Sequence, residues 1–232
     1  MIIHKTHFNY IISFVLVSIA IGAIDQEISA QDKDFGLWSS FQIETEWSDH
    51  FELDVEVGYR LKDNLKQRDE SLIQAGLTYK YWWISASAGY RFANENVPSR
   101  TYSLSHRWIT QMEFEPEWKR FNLGYRLRYQ SQYTDISSSE NGHIPDNFIR
   151  QRFQIDYNIR KFPVDPFFHY EVFTIMGKSL PAFSEKYRAS AGVVIKINKD
   201  NSMKISYMKN DFINNNDQTE SYILKLEYKL EI

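Results

Sequence analysis

Phe51-Glu52-Leu53-Asp54-Val55-Glu56-Val57-Gly58-Tyr59-Arg60 is the stretch that decides the fold. Phe51, Leu53, Val55, Val57 and Tyr59 alternate with Glu52, Asp54, Glu56, Gly58 and Arg60. Side chains on a strand point to opposite faces with period two, so this segment carries one apolar face and one ionised face. Its closing tripeptide recurs. Gly58-Tyr59-Arg60, Gly89-Tyr90-Arg91 and Gly124-Tyr125-Arg126 each close such a run, which points to a repeated β-hairpin.

The alternation extends in both directions. Upstream it places Phe35, Leu37, Phe41, Ile43 and Thr45 on one face. Downstream it recurs around Ile73–Tyr79, Ile84–Tyr90, Tyr102–Met112, Phe121–Tyr129, Phe153–Ile159, Phe168–Val172, Tyr187–Ile197, Met203–Tyr207 and Tyr222–Leu230. The expected fold is all-β, an antiparallel up-and-down transmembrane β-barrel of about ten to twelve strands, apolar toward lipid and charged toward the lumen. The runs number eleven. Single-chain bacterial barrels carry even numbers, so the count conflicts with the expected parity and stays open.

Connections alternate between short and long. Short ones fall at Trp47–His50, Tyr81-Trp82, Pro116–Lys119, Pro163–Pro166 and Asn198–Asn201; longer polar ones lie between. Outer-membrane barrels show this asymmetry, with short periplasmic turns and longer outside loops. Trp47, Trp82, Trp83 and Trp118 sit at short turns, as a periplasmic aromatic belt would; Tyr59, Tyr90 and Tyr129 are assigned to an outer belt.

Residues 1–30 read as a signal peptide, with an apolar run from Tyr10 to Ile24 and cleavage placed after Ala30 (Ala23 is the alternative). The domain then spans residues 31–232 and is located in an outer membrane of Gram-negative type. Losing Lys5, Asp25 and Glu27 leaves 26 basic against 28 acidic residues, a balance without a nucleic-acid signal. The absence of cysteine excludes a lipoprotein signal, disulfides and thiolate metal sites. A mean hydropathy of −0.49 does not argue against a barrel, because alternation hides apolar residues from an average.

On this reading Glu44, Glu46, Glu52, Asp54 and Glu56 line one wall of the lumen. Arg126, Arg128, Arg150 and Arg152 line the opposite wall, and Arg60, Arg91, His169 and Glu171 also point inward. Crossed acidic and basic walls would compensate each other, giving either a structural salt-bridge network or a polarised passage for a small polar solute. The three Gly-Tyr-Arg arginines offer a further reading, an anion-attracting ring at the outer mouth. The glycines beside them fit relief of crowding where a neighbouring side chain crosses.

Catalysis has thin support. His169 and Glu171 share a face of one strand, and Ser190 or Ser206 would have to supply a nucleophile from a neighbour. No Gly-x-Ser-x-Gly, His-Glu-x-x-His or phosphate-loop motif occurs. No enzyme activity, cofactor or metal is expected.

Asp34-Phe35-Gly36-Leu37-Trp38, the Gly58-Tyr59-Arg60 and Gly89-Tyr90-Arg91-Phe92 strand ends, and Pro166-Phe167-Phe168-His169-Tyr170-Glu171 carry a resemblance. With them the chain resembles the uncharacterised outer-membrane β-barrel family known as domain-of-unknown-function family 2490. The resemblance implies location and fold, and transfers no functional residue. Expected partners are outer-membrane lipid and the barrel-assembly machinery, which would read the Tyr222, Leu224, Leu226, Tyr228, Leu230 strand. Two alternatives stand beside a non-enzymatic barrel. One is a lipid-modifying hydrolase. The other is a soluble periplasmic β-barrel binding protein with the alternation reversed.

Overall fold

The computed structural model describes residues 33–97, 100–134, 145–176, 183–213 and 220–232. The signal-peptide reading and its cleavage point lie outside them. The described chain is built of strands: β1 (Lys33–Ser48), β2 (Phe51–Lys62), β3 (Gln67–Tyr81), β4 (Ile84–Val97), β5 (Arg100–Phe114), β6 (Glu117–Trp118), β7 (Phe121–Thr134), β8 (Asp146–Tyr157), β9 (Val164–Met176), β10 (Phe183–Lys196), β11 (Asn201–Phe212) and β12 (Glu220–Glu231). β6 is a two-residue strand beside the start of β7, which leaves eleven long strands.

Each long strand pairs antiparallel with the next, and β5 pairs with β7 past the Pro116 corner. The ring closes through β1 and β12, which run parallel from Lys33↔Glu220 to Glu44↔Glu231. That closure resolves the parity conflict. In an up-and-down run the direction reverses at every turn, so the first and last of an odd number point the same way. They can close the ring only as a parallel pair. The Ile232 N–H donates to the Glu44 carbonyl at 2.9 Å and extends the seam to its end.

The structure also sets the sense of the alternation. Val57 is 52% exposed and Leu53 39%, whereas Glu52 between strand neighbours keeps 8%. Phe41, Ile73, Leu77, Leu123, Leu127, Phe153 and Ile155 face outward as well. The reversed arrangement, with an apolar interior, is therefore overturned.

Short turns gather at one end. Trp82 adopts φ 56 in the two-residue turn between Tyr81 and Ile84, one residue later than the sequence placed it. In the Asn198–Asn201 turn the Asn198 carboxamide oxygen accepts from the Asp200 N–H and from the Asn201 side-chain amide, both at 2.9 Å. Side-chain acceptors of this kind stabilise tight turns locally. The β2–β3 connection lies at the other end and holds Asp63, Asn64 and Leu65 at φ 51, 53 and 67.

Candidate functional site

The interior of the barrel is a cavity of about 720 Å³. It touches Lys80 and Ser85 beside the Trp82-Trp83 turn, and Asp69 and Asn96 toward the opposite end. A single space therefore follows most of the length of the wall.

The acidic side is built by β1 and β2. Glu44 receives Lys229 from β12 at 2.7 Å, Glu52 pairs with Lys80, and Glu56 lies 3.7 Å from Arg91. Asp54 rests over Gly76, where an added Cβ would sit 2.3 Å from its Oδ1. Glu46 departs from the expectation: it is exposed at the short-turn end and does not line the cavity. The strand has already left the lumen there, and its cross-strand partner Glu52 repels a second buried carboxylate.

The basic side is a block of four arginines. Arg126 faces Arg152 across β7 and β8, and Arg128 faces Arg150 two residues away. Like charges directly opposite one another destabilise a sheet, so the block needs anions. Glu171 on β9 supplies one, accepting from Arg126 at 2.5 Å and from Arg150 at 2.8 Å. Glu113 supplies another, 3.5 Å from Arg152 and 3.9 Å from Arg126. Arg128 instead donates through Nε to Gln111 at 2.7 Å.

Above this block Glu70 pairs with Arg60 and lies 3.4 Å from Arg107, which also pairs with Glu95. Ser105 and Gln132 donate to the Glu95 carboxylate at 2.7 and 3.2 Å. An alternating stack runs through the same region. The Arg60 guanidinium lies 4.0 Å from the Trp38 ring, Arg188 lies 5.0 Å from Trp38 and 4.6 Å from Phe173, and Arg150 lies 4.4 Å from Phe173.

The ion pairs among the described residues lie within one strand or join strands that are neighbours, or next but one, around the ring. They run along the wall. None of them joins the acidic wall of β1 and β2 to the arginine block of β7 and β8, so the expected direct compensation across the lumen is replaced by lateral pairing.

The ring reading of the three repeat arginines is not what the register builds. Arg60 pairs with Glu70, Arg91 donates to Gln74 at 3.0 Å, and Arg126 serves Glu171. Arg91 aligns with Glu56, four residues from Arg60 along β2, and Arg126 aligns with Glu113, six residues along β5 from Arg91's partner Arg107. The neighbouring glycines do meet crossing groups. An added Cβ would lie 3.1 Å from Leu72 at Gly58 and 2.3 Å from Gln154 at Gly124.

His169 is buried against Phe167, with ring centroids 4.5 Å apart, and its Nε2 lies 3.8 Å from Asp156 Oδ1. No hydrogen bond among the described residues joins it to Ser190 or Ser206, although Ser190 is its cross-strand partner. Both oxygens of Glu171 are engaged by arginines.

Trp47, Trp82, Trp83 and Trp118 stand exposed at the short-turn end, Trp82 at 85%. Tyr59 and Tyr129 are outward, and Tyr129 donates to Asn147 at 3.0 Å. Tyr90 does not belong to an outer belt: it lies midway along β4, edge-on to Trp108 at 4.8 Å. Tyr187 and Tyr222, which the sequence reading left out of the outer belt, lie near the loop end of their strands. Their hydroxyls donate to Asp211 and Glu220 at 2.9 Å. A Tyr just after charged residues at the start of a strand, Glu185-Lys186-Tyr187 and Glu220-Ser221-Tyr222, was the available signal.

The profile of the family described as Protein of unknown function (DUF2490) matches residues 35–221. The chain belongs to that family. The match runs from β1 to the start of β12; Lys225, Glu227 and Lys229, which also line the cavity, lie beyond it. Comparison with curated proteins finds no match. The fold is similar to the β domain of the Bordetella autotransporter BrkA, at 9% identity and a TM-score of 0.48, over 79% of this chain and 82% of that one. It is also similar to OmpT, an outer membrane protein of Vibrio cholerae, at 12% identity and a TM-score of 0.38, over 74% of this chain and 55% of that one.

Proposed function

We propose that this is a non-enzymatic outer-membrane β-barrel whose lumen is a narrow, water-filled passage for small polar solutes. The observation that carries the reading is the inverted amphipathicity. Val57 and Leu53 face outward while Glu52 and Glu171 are buried inside. An apolar mantle around a whole ring of strands is stable in hydrocarbon and exposed to aggregation in water. The tryptophans at the short-turn end suit a membrane interface, where an apolar ring body and a polar N–H are both accommodated.

The lateral course of the ion pairs supports a passage over a plug, because they pair much of the lumen's charge without filling the centre. The commitment of Glu171 to two arginines supports a non-catalytic role. Outer-membrane lipid is then the surrounding solvent, and the barrel-assembly machinery the partner in insertion. A purely structural barrel is the second reading, favoured by the way Glu171 ties β7, β8 and β9 together.

Two measurements test this. The expressed protein is fractionated and run unboiled and boiled; recovery in the outer membrane with a band that shifts on boiling is expected. Recovery in the soluble periplasmic fraction sinks the membrane reading. The purified barrel then goes into planar bilayers, where small discrete conductance steps are expected and a silent membrane selects the structural barrel.

A further inference from the structure

We propose that the arginine block on β7 and β8, together with Arg188 on β10, is a binding site for a small oxyanion, of phosphate or carboxylate chemistry. The inference rests on the lumen being open to water, as proposed above, and names the class of solute it holds.

The charge on this wall is only partly compensated. Arg126, Arg128, Arg150 and Arg152 form two like-charged cross-strand pairs, and Arg188 aligns with Glu171. Glu171 and Glu113 are the carboxylates within 4.0 Å of any of them among the described residues. Arg128 and Arg188 have none. Each is held instead through Nε by a neutral amide, Arg128 by Gln111 at 2.7 Å and Arg188 by Asn210 at 3.0 Å.

That mode of holding leaves the binding edge free. Anchoring Nε fixes the plane of the guanidinium, and among the described residues the hydrogen bonds of Arg128 and Arg188 run through Nε, not through their terminal N–H groups. Stacking on an aromatic face does the same. Arg150 and Arg188 both lie on the Phe173 ring, at 4.4 and 4.6 Å, which draws the two guanidinia into one patch; Arg150 spends its two terminal nitrogens on Gln130 and Glu171, so the open edge there is that of Arg188. A planar fork with fixed orientation suits the two oxygens of a carboxylate or phosphate. A solvated lysine cluster would lack that fit.

The test uses the full barrel, folded in detergent, and follows the temperature at which the heat-modifiable band converts. Inorganic phosphate is the probe, with sodium chloride at matched ionic strength as control. A ligand bound by the folded barrel alone raises its stability in proportion to the logarithm of occupancy. Phosphate is expected to raise the conversion temperature saturably and chloride to leave it almost unchanged. Arg128→Gln and Arg188→Gln, tested singly, are each expected to weaken the apparent affinity about tenfold, the scale of one charge-assisted contact. Arg128→Lys keeps the charge without the fork and is expected to fall between. Acetate repeats the series and shows whether phosphate or carboxylate is preferred. An equal rise with chloride, or the same phosphate response in both glutamine variants, overturns the site. Neither result depends on conductance, so a failed anion site and a failed passage are told apart.

Discussion

Glu171 is the residue on which the basic wall depends most. It is buried, and its two oxygens serve Arg126 and Arg150 from different strands. Glu171→Gln removes the charge at nearly constant volume and leaves two guanidinia facing each other's field. Breaking a buried pair from one side costs about 3 kcal/mol. A lower urea midpoint for loss of the heat-modifiable band checks this; an unchanged midpoint would mean that lumen water already screens the arginines. Glycines give a second residue-scale contrast. At Gly124 an added Cβ meets the Gln154 side chain, which can swing away. At Gly192 it meets backbone, 2.2 Å from the Ile205 carbonyl oxygen and 2.7 Å from the Ser206 Cα. Gly192→Ala is expected to cost about 1–3 kcal/mol, and Gly124→Ala less, in the same unfolding assay. The sequence drew attention to Gly124 through its Gly-Tyr-Arg repeat and passed over Gly192. The reason is that close approach of a neighbouring strand leaves no local signature.

At the scale of the element, β2 reads the same in sequence and in structure because both of its faces are long and unbroken. Placing an arginine in the outward stripe should separate a lipid-facing strand from a solvated one. Val57→Arg puts a charge into the apolar mantle, and near the middle of a bilayer that costs about 2–4 kcal/mol. Thr78→Arg, on a lumen-facing position of β3 opposite Glu52, is expected to be tolerated far better. Equal folding yields for the two variants would argue against lipid around the barrel. The β2–β3 connection offers a milder test. Leu65 is held at φ 67, where a side chain with Cβ costs roughly 1–2 kcal/mol and glycine costs little. Leu65→Gly should therefore stabilise the hairpin, by less than that amount once the greater freedom of the unfolded glycine is counted. Pro116 shows where element reading fell short. The proline suggested a plain turn, yet Glu117-Trp118 pairs back onto Phe121 and Asn122 in a tight hairpin around Lys119 at φ 59.

For the whole molecule, the parallel seam has a topological consequence. β1 begins at the end with the longer connections, and β12 finishes at the end with the short turns. If the short turns face the periplasm, Lys66 and Lys199 lie on opposite sides of the membrane. The chain contains no cysteine, so single cysteines report cleanly. Lys66→Cys should react with a membrane-impermeant maleimide on intact cells, and Lys199→Cys only after the outer membrane is opened; the reverse pattern would invert the orientation. Eleven strands, the charged face and the aromatic turns were all legible in the chain, because strand periodicity and turn chemistry are local properties. Three features were decided by the tertiary structure. The sense of the alternation required closure, since a period-two pattern is the same whichever face is buried. The parallel seam required β1 and β12 to meet, and their pairing spans nearly the whole domain. The pairing of charges required neighbours in the ring. The sequence placed an acidic and a basic wall, but which carboxylate reaches which guanidinium depends on strand register, and among the described residues that left Arg128 and Arg188 without one within 4.0 Å.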